Sequence, residues 1–298
     1  MIAKVFRYLP WATCFVAVSG VQAAPRTTNL WWMPENISVH GEQIDHIFYI
    51  IFWMCLAVFV GTQIAMVWFL IKYRRKPGSR SIYSHGNNTL EIIWTATPLL
   101  IFLLLGAYSQ KVWHEMRQGG IPDGALVVDI VAEQFGFHFR YPGPDGVFGQ
   151  TDMALMNGGN PFGMVPDDPA GADDVKVYNE MVVPIGRPVQ MILRSRDVIH
   201  SYYVPALRLY QDMVPGKSID WVWFNTFKGA NLQIACNQLC GSGHYRMFAA
   251  LRVVPEEAFD NFLKERGAPA TKTASEAGES LAAVPGTDSE DTLRQTNL

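Results

Sequence analysis

The chain has 298 residues, of which 49% are hydrophobic and 17% charged, with a formal net charge of −3. That apolar surplus excludes a water-soluble domain along the whole length, and the charge balance offers no basic surface for nucleic acid. There is room for one modest domain plus membrane-embedded segments.

Residues 1–24 carry Lys4 and Arg7, then an apolar stretch, then Val21-Gln22-Ala23-Ala24. This reads as a secretory signal with small residues at its cleavage site, so the mature chain begins near Pro25. The alternative is a retained membrane helix, which Pro10 and Gly20 interrupt and which falls short of the ~20 residues a span needs. A mature N-terminal segment covers 25–46. Residues 47–71 are continuously apolar and are predicted to cross the bilayer, and a second span is predicted at 90–110. The loop at 72–89 holds Lys72, Arg74, Arg75, Lys76 and Arg80, so the hairpin turn is expected in the cytoplasm and everything after about Lys111 outside.

In the exported part, 111–266, short runs rich in β-branched and aromatic residues alternate with Gly, Pro and Asp. Strands are predicted at 125–132, 137–141, 181–184, 189–194, 201–205, 219–225, 232–236 and 247–254. The pattern predicts an all-β sandwich or barrel, since no helical periods intervene. Residues 142–174, rich in Gly, Pro and Asp, read as an inserted loop. A short helix is predicted to begin at Pro255 and to close the domain. Residues 267–298 lack apolar side chains to bury and are predicted to be disordered.

Of four cysteines, Cys14 lies in the signal and Cys55 in the first span, leaving Cys236 and Cys240 outside. In an oxidising compartment the pair could form a disulfide. The surrounding run Ile234-Ala-Cys236-Asn-Gln238-Leu-Cys240-Gly-Ser-Gly-His244-Tyr-Arg-Met247, with His200 upstream, points instead to a soft metal such as copper. Two thiolates can bridge two copper ions, with His200 and His244 each binding one of them. Met247 would be a weak axial sulfur, and a main-chain carbonyl between the cysteines would fill the remaining place. A mononuclear blue-copper site uses a single Cys, so the second thiol argues for two metals. Structural zinc is the rival, although Met is not a zinc preference.

These residues carry a family resemblance. Ser195-Arg-Asp197-Val-Ile-His200-Ser-Tyr-Tyr-Val204-Pro205, Asp212-Met-Val-Pro215-Gly216 and the Cys236 to Met247 loop resemble subunit II of haem-copper cytochrome c oxidases with its CuA centre. So do Leu90-Glu91-Ile-Ile-Trp94-Thr95-Ala-Thr-Pro98 and Gln134-Phe135-Gly-Phe137, so that the resemblance spans nearly the whole chain. It implies a two-helix transmembrane hairpin plus an all-β cupredoxin-like domain, seated in the bacterial inner membrane with both termini and the copper domain periplasmic. Electrons would come from cytochrome c or another periplasmic donor and pass to haem in subunit I, which also holds CuB and reduces oxygen to water with proton translocation. Subunits I and III are the implied partners. Residue by residue, His200, Cys236, Cys240, His244 and Met247 are the implied side-chain copper ligands and Gln238 the carbonyl ligand. Rival functions are the copper subunit of a CuA-type nitric oxide reductase and a periplasmic copper-delivery protein.

The chain departs from the family pattern in three places. Where Gln238 stands the family usually has Glu, whose carboxylate also binds magnesium at the interface with subunit I, a hard cation that prefers charged oxygen. Where Phe135 stands it usually has Trp, the point where electrons arrive from cytochrome c. Arg196-Asp197 replaces an acidic pair that faces basic cytochrome c, which alters the docking field by about two charges. Asp145, Asp152, Asp167, Asp168, Asp173 and Asp174 in the long loop are a candidate relocated acidic patch, the alternative being a solvated flexible insertion. Glu91 has two roles to weigh: a favourable charge near a helix start, or, as the resemblance implies, the mouth of a proton path into subunit I. Asp45 and His46 are expected in the headgroup region, and His138 has no partner at ligand spacing.

Overall fold

The computed structural model describes residues 32–266, apart from 79, 81, 82, 84 and 118; the signal expected at 1–24 and the tail expected at 267–298 lie outside the described residues. Two long helices come first, α1 at Gly41–Lys72 and α2 at Asn88–Arg117. Both are long and apolar enough to cross a membrane, with mean hydropathy of 2.2 and 1.9 over their most apolar windows. At about 1.5 Å per residue α1 reaches about 48 Å, well beyond the ~30 Å hydrocarbon layer. Its first turn therefore lies outside the expected 47–71 span, where Gln43, Asp45 and His46 make polar contacts. Gln43 Nε2 donates to Glu115 Oε2 at 3.3 Å and His46 Nδ1 lies 3.0 Å from the Tyr108 hydroxyl, joining the two helices at this end. At the other end Asn87 caps α2 by accepting from Leu90 N at 3.1 Å. Helix α2 continues through Pro98.

The rest is a β-sandwich. Its strands are β1 Leu126–Glu133, β2 Gly136–Tyr141, β3 Val175–Tyr178, β4 Glu180–Pro184, β5 Val189–Ser195, β6 His200–Val204, β7 Leu209–Met213, β8 Ile219–Phe224, β9 Ala230–Ala235 and β10 Phe248–Val254. One sheet has the order β3-β2-β1-β5-β8 and the other β4-β10-β9-β6-β7. Inward residues follow the period of two that a half-buried strand dictates. In β10 Ala249, Leu251 and Val253 are buried between exposed neighbours, and in β2 Phe137, Phe139 and Tyr141 face the core. The Tyr141 hydroxyl donates to Val182 O at 3.0 Å and accepts from Val182 N at 2.8 Å, tying the two sheets together without an unpaired polar group. Helix α3, Glu256–Glu265, lays Phe259, Phe262 and Leu263 against this end of the core.

The segment 142–174 is not a solvated excursion: it covers the outer face of the first sheet. On that face Asp129, Arg140 and Arg194 are all buried. Arg140 Nη2 lies 2.7 Å from Asp129 Oδ2, and Arg140 Nη1 lies 3.1 Å from Asp174 Oδ2. Arg194 Nε donates to Asp129 Oδ1 at 3.1 Å, and its Nη1 donates to Phe162 O at 3.1 Å. Two guanidinium groups thus meet two carboxylates, and the covering segment supplies carbonyls and the buried Phe162 ring. Of the aspartates weighed as a docking patch, Asp174 is buried in this network, while Asp152 and Asp168 cap short 3-10 turns through Ala154 N and Ala170 N.

The helices join the sandwich through a clamp that the sequence did not reveal. Arg208 Nε donates to Asp45 Oδ1 at 2.6 Å, and Arg208 Nη2 donates to Asp45 Oδ2 at 2.9 Å and to Pro34 O at 2.9 Å. Arg208 occupies the left-handed region at φ 55° after the turn Pro205–Leu207. Beside it His40 stacks edge-on against Trp223 at 4.6 Å, and the Arg117 guanidinium lies 4.9 Å from the Trp221 ring.

Candidate metal centre

Three segments meet at one end of the second sheet. His200 opens β6, Cys236 follows the last residue of β9, and Met247 immediately precedes β10. Cys236 N donates to Met247 O at 3.2 Å, which closes the Cys236–Met247 loop at its base, and Asn237 N donates to Ser201 Oγ at 2.5 Å, which ties that loop to β6. His244 begins the 3-10 turn His244–Arg246, which brings its ring back over Cys240.

The donor atoms form a compact set. Cys236 Sγ and Cys240 Sγ are 3.7 Å apart, far beyond the ~2.0 Å of a disulfide, so the pair stands as two separate sulfurs. Cys236 Sγ lies 3.9 Å from His200 Nδ1, and Cys240 Sγ lies 3.6 Å from His244 Nδ1 and 3.7 Å from Met247 Sδ. Gln238 O lies 3.2 Å from Cys236 Sγ. Ligands held ~2.0–2.3 Å from one metal at tetrahedral angles stand about 3.3–3.8 Å from each other, which is close to the spacing here. His200 and Met247 are wholly buried, and Cys236 and Cys240 nearly so. Two thiols, two imidazoles, a thioether and a carbonyl, of which the His244 ring and Gln238 are half-buried, form a soft donor set of the kind copper takes.

The electrostatics separate the two thiols. Burial would push the Cys236 thiol up, but the His200 ring, the Gln238 and Ser201 main chain and the His244 ring outweigh it and bring it down to about 6. Burial and the neighbouring Cys236 push Cys240 up to about 12. Burial lowers His200, yet the Cys236 sulfur and the Asp197 carboxylate together raise it. Burial also opposes the charge on Asp197, but Gln134 N, His200 and Val198 N hold that carboxyl below its ordinary value.

Phe135 lies against this loop. A Cβ at Gly243 would come within 2.5 Å of Phe135 Cδ2, and one at Gly241, whose φ is 134°, within 3.2 Å of Phe135 Cε1. The glycines are what let the ring approach the backbone that carries Cys240 and His244. Gln134 Nε2 donates to Cys240 O at 2.5 Å, a contact that sequence reasoning missed. Nearby, Glu133 lies 2.7 Å from Arg196 and 3.0 Å from His138, so the Arg196 charge is balanced. Glu91 is elsewhere, exposed in the first turn of α2.

Fold and site together define a membrane-anchored β-sandwich that gathers sulfur and imidazole donors into one loop-built metal centre. Residues 25–112 match the family "Cytochrome C oxidase subunit II, transmembrane domain", and residues 164–254 match "Cytochrome C oxidase subunit II, periplasmic domain". Among curated relatives, the alternative cytochrome c oxidase subunit 2 of Bradyrhizobium diazoefficiens is 33% identical over 240 residues, covering 79% of this chain and 84% of the relative. Cytochrome c oxidase subunit 2 of Thermostichus vulcanus is 30% identical over 264 residues, covering 80% of each. The crystal structure of the periplasmic domain of subunit II of cytochrome oxidase from Bradyrhizobium japonicum is 25% identical, with a TM-score of 0.36 over 49% of this chain and 96% of that one. The chain belongs to the cytochrome c oxidase subunit II family.

Proposed function

We propose that the chain works as the electron-accepting subunit of a haem-copper terminal oxidase. It takes electrons from a periplasmic donor such as cytochrome c and passes them to haem in subunit I, where CuB and haem reduce oxygen to water. The observation that carries this reading is the pair of sulfurs 3.7 Å apart, each facing an imidazole. His200, Cys236, Cys240, His244, Met247 and the Gln238 carbonyl would hold a pair of copper ions. When bound, that pair would supply a one-electron store shared by both metals.

The chain's own residues supply the rest. The two thiols would supply sulfur ligands, the loop closure at Cys236 N keeps the donors in place, and burial of His200, Cys236, Cys240 and Met247 limits access of water to the centre. The Phe135 ring packs beside the loop on the side where the donor would dock. Glu91, placed on the cytoplasmic side by the basic loop at 72–89, would take up protons for subunit I. In that orientation the copper domain would lie in the periplasm and the two helices in the bacterial inner membrane, where they would contact subunit I and subunit III.

The test is an EPR and near-infrared spectrum, with a copper count, of the copper-loaded full-length protein in detergent. The reading requires two coppers per chain, with hyperfine splitting shared over both nuclei. A single localised copper, or zinc in its place, overturns it.

A further inference from the structure

Gln238 engages two environments. Its main-chain carbonyl faces Cys236 Sγ at 3.2 Å, while its side-chain amide reaches away to β7. There Nε2 donates to the Tyr210 hydroxyl at 2.8 Å and lies 3.1 and 3.2 Å from the two oxygens of Asp212. The Tyr210 hydroxyl in turn donates to Asp212 Oδ1 at 2.5 Å. Tyr210 and Asp212 are two apart on one strand, so they share a face. The amide orientation follows from chemistry, because the reverse would set Gln238 Oε1 against a carboxylate.

This is the position where the family's magnesium would bind, and the residues do not fit it. A hard cation here needs charged oxygen, which only a carboxylate at 238 or the free lone pairs of Asp212 beside it could offer. Here N–H and O–H donors already occupy the Asp212 oxygens, and the amide presents a partial positive charge to the place a cation would take. We propose that Tyr210, Asp212 and Gln238 form a hydrogen-bonded latch that replaces the cation and fixes the Gln238 carbonyl beside Cys236. The inference rests on the oxidase reading, since the cation in question belongs to the interface with subunit I. Asp212 and Tyr210 are positioning residues in this scheme: they act on the copper centre only through Gln238.

The experiment uses the assembled oxidase from cells grown in excess manganese, washed with chelator and examined by manganese EPR and metal analysis. The wild type is expected to carry two coppers at this subunit and no stoichiometric manganese, and Gln238→Glu to gain about one manganese per complex. One tightly held manganese in the wild type overturns the proposal, as does a Gln238→Glu oxidase that still takes up none. The positioning half is read separately: Asp212→Ala and the milder Tyr210→Phe are expected to keep both coppers but shift the near-infrared band and hyperfine pattern. Unchanged spectra in both variants overturn that half. A wild type without paired copper would instead sink the oxidase reading, so the two failures are distinguishable.

Discussion

Asp197 Oδ1 lies 2.8 Å from Nε2 of His200, while Nδ1 of the same ring faces Cys236 Sγ at 3.9 Å. The carboxylate therefore fixes the tautomer, with the proton on Nε2 and the lone pair on Nδ1 turned toward the sulfurs. Losing such a partner costs about 10- to 100-fold in metal affinity. Asp197→Asn is expected to weaken copper retention by that factor in competition with a chelator, while leaving the copper stoichiometry at saturation unchanged.

Phe135 is separated from the copper loop by glycine alone. Gly243→Ala would force a Cβ to within 2.5 Å of the ring, and overpacking of this kind costs about 1–3 kcal/mol. We expect a lower melting temperature and a perturbed spectrum. Phe135→Ala should keep the copper signal but slow its reduction by the donor in stopped-flow measurements. Equal rates for wild type and variant would remove Phe135 from the electron path.

Near His200, Arg196 pairs with Glu133 at 2.7 Å, so these two charges offset each other. Arg196→Glu should raise the association rate of a basic cytochrome c at low ionic strength, and the gain should vanish above ~0.15 M salt, where the Debye length is about 8 Å. No gain at low salt would show that the donor is steered elsewhere.

Asp129 binds two guanidinium groups on the covered outer face of the first sheet. Asp129→Ala leaves Arg140 and Arg194 buried with only Asp174 to balance them, a change that costs about 3–5 kcal/mol. Thermal or denaturant unfolding of the loaded protein measures it. Lys217→Ala, at an exposed position in the turn before β8, serves as the control and should change stability by less than ~0.5 kcal/mol.

Glu91→Gln separates the proton role from the structural one. Asn87 already caps α2, so removing the Glu91 charge should cost no more than ~1 kcal/mol of helix stability. In the assembled oxidase, copper reduction should proceed at the wild-type rate and proton-linked reduction of the oxygen site should slow. Equal slowing of both steps would count against a proton path through Glu91.

Much of this was legible because the signals are local. Apolar runs mark α1 and α2, and alternation marks β10, whose predicted start lies one residue from the observed one. Strands β3 and β7 were not predicted: one has four residues and the other, Leu209-Tyr-Gln-Asp-Met213, is largely polar. The donor residues of the metal loop fall within twelve residues of sequence, Cys236 to Met247, so their pattern is visible there. Their supports are not, because contact depends on strand pairing. The parallel register of β1 and β5 sets Ala132 opposite Ser195, and only this brings Gln134 and Phe135 beside Asp197 and the loop. Of the aspartates in the long segment, Asp174 turns inward because Arg140 and Arg194 point outward beneath it, which sequence does not show, while Asp145, Asp152 and Asp167 stay exposed.

The Asp45–Arg208 clamp bears on how the subunit keeps time. Electron hops weaken steeply with distance, so a copper domain swinging on a loose tether would deliver electrons at rates that wander with its tilt. Arg208 instead grips the first turn of α1 and the Pro34 carbonyl at once, close to the end of the strand that begins with His200. The bilayer thereby becomes the ruler: wherever α1 settles in the lipid, the height of the redox centre above the membrane follows.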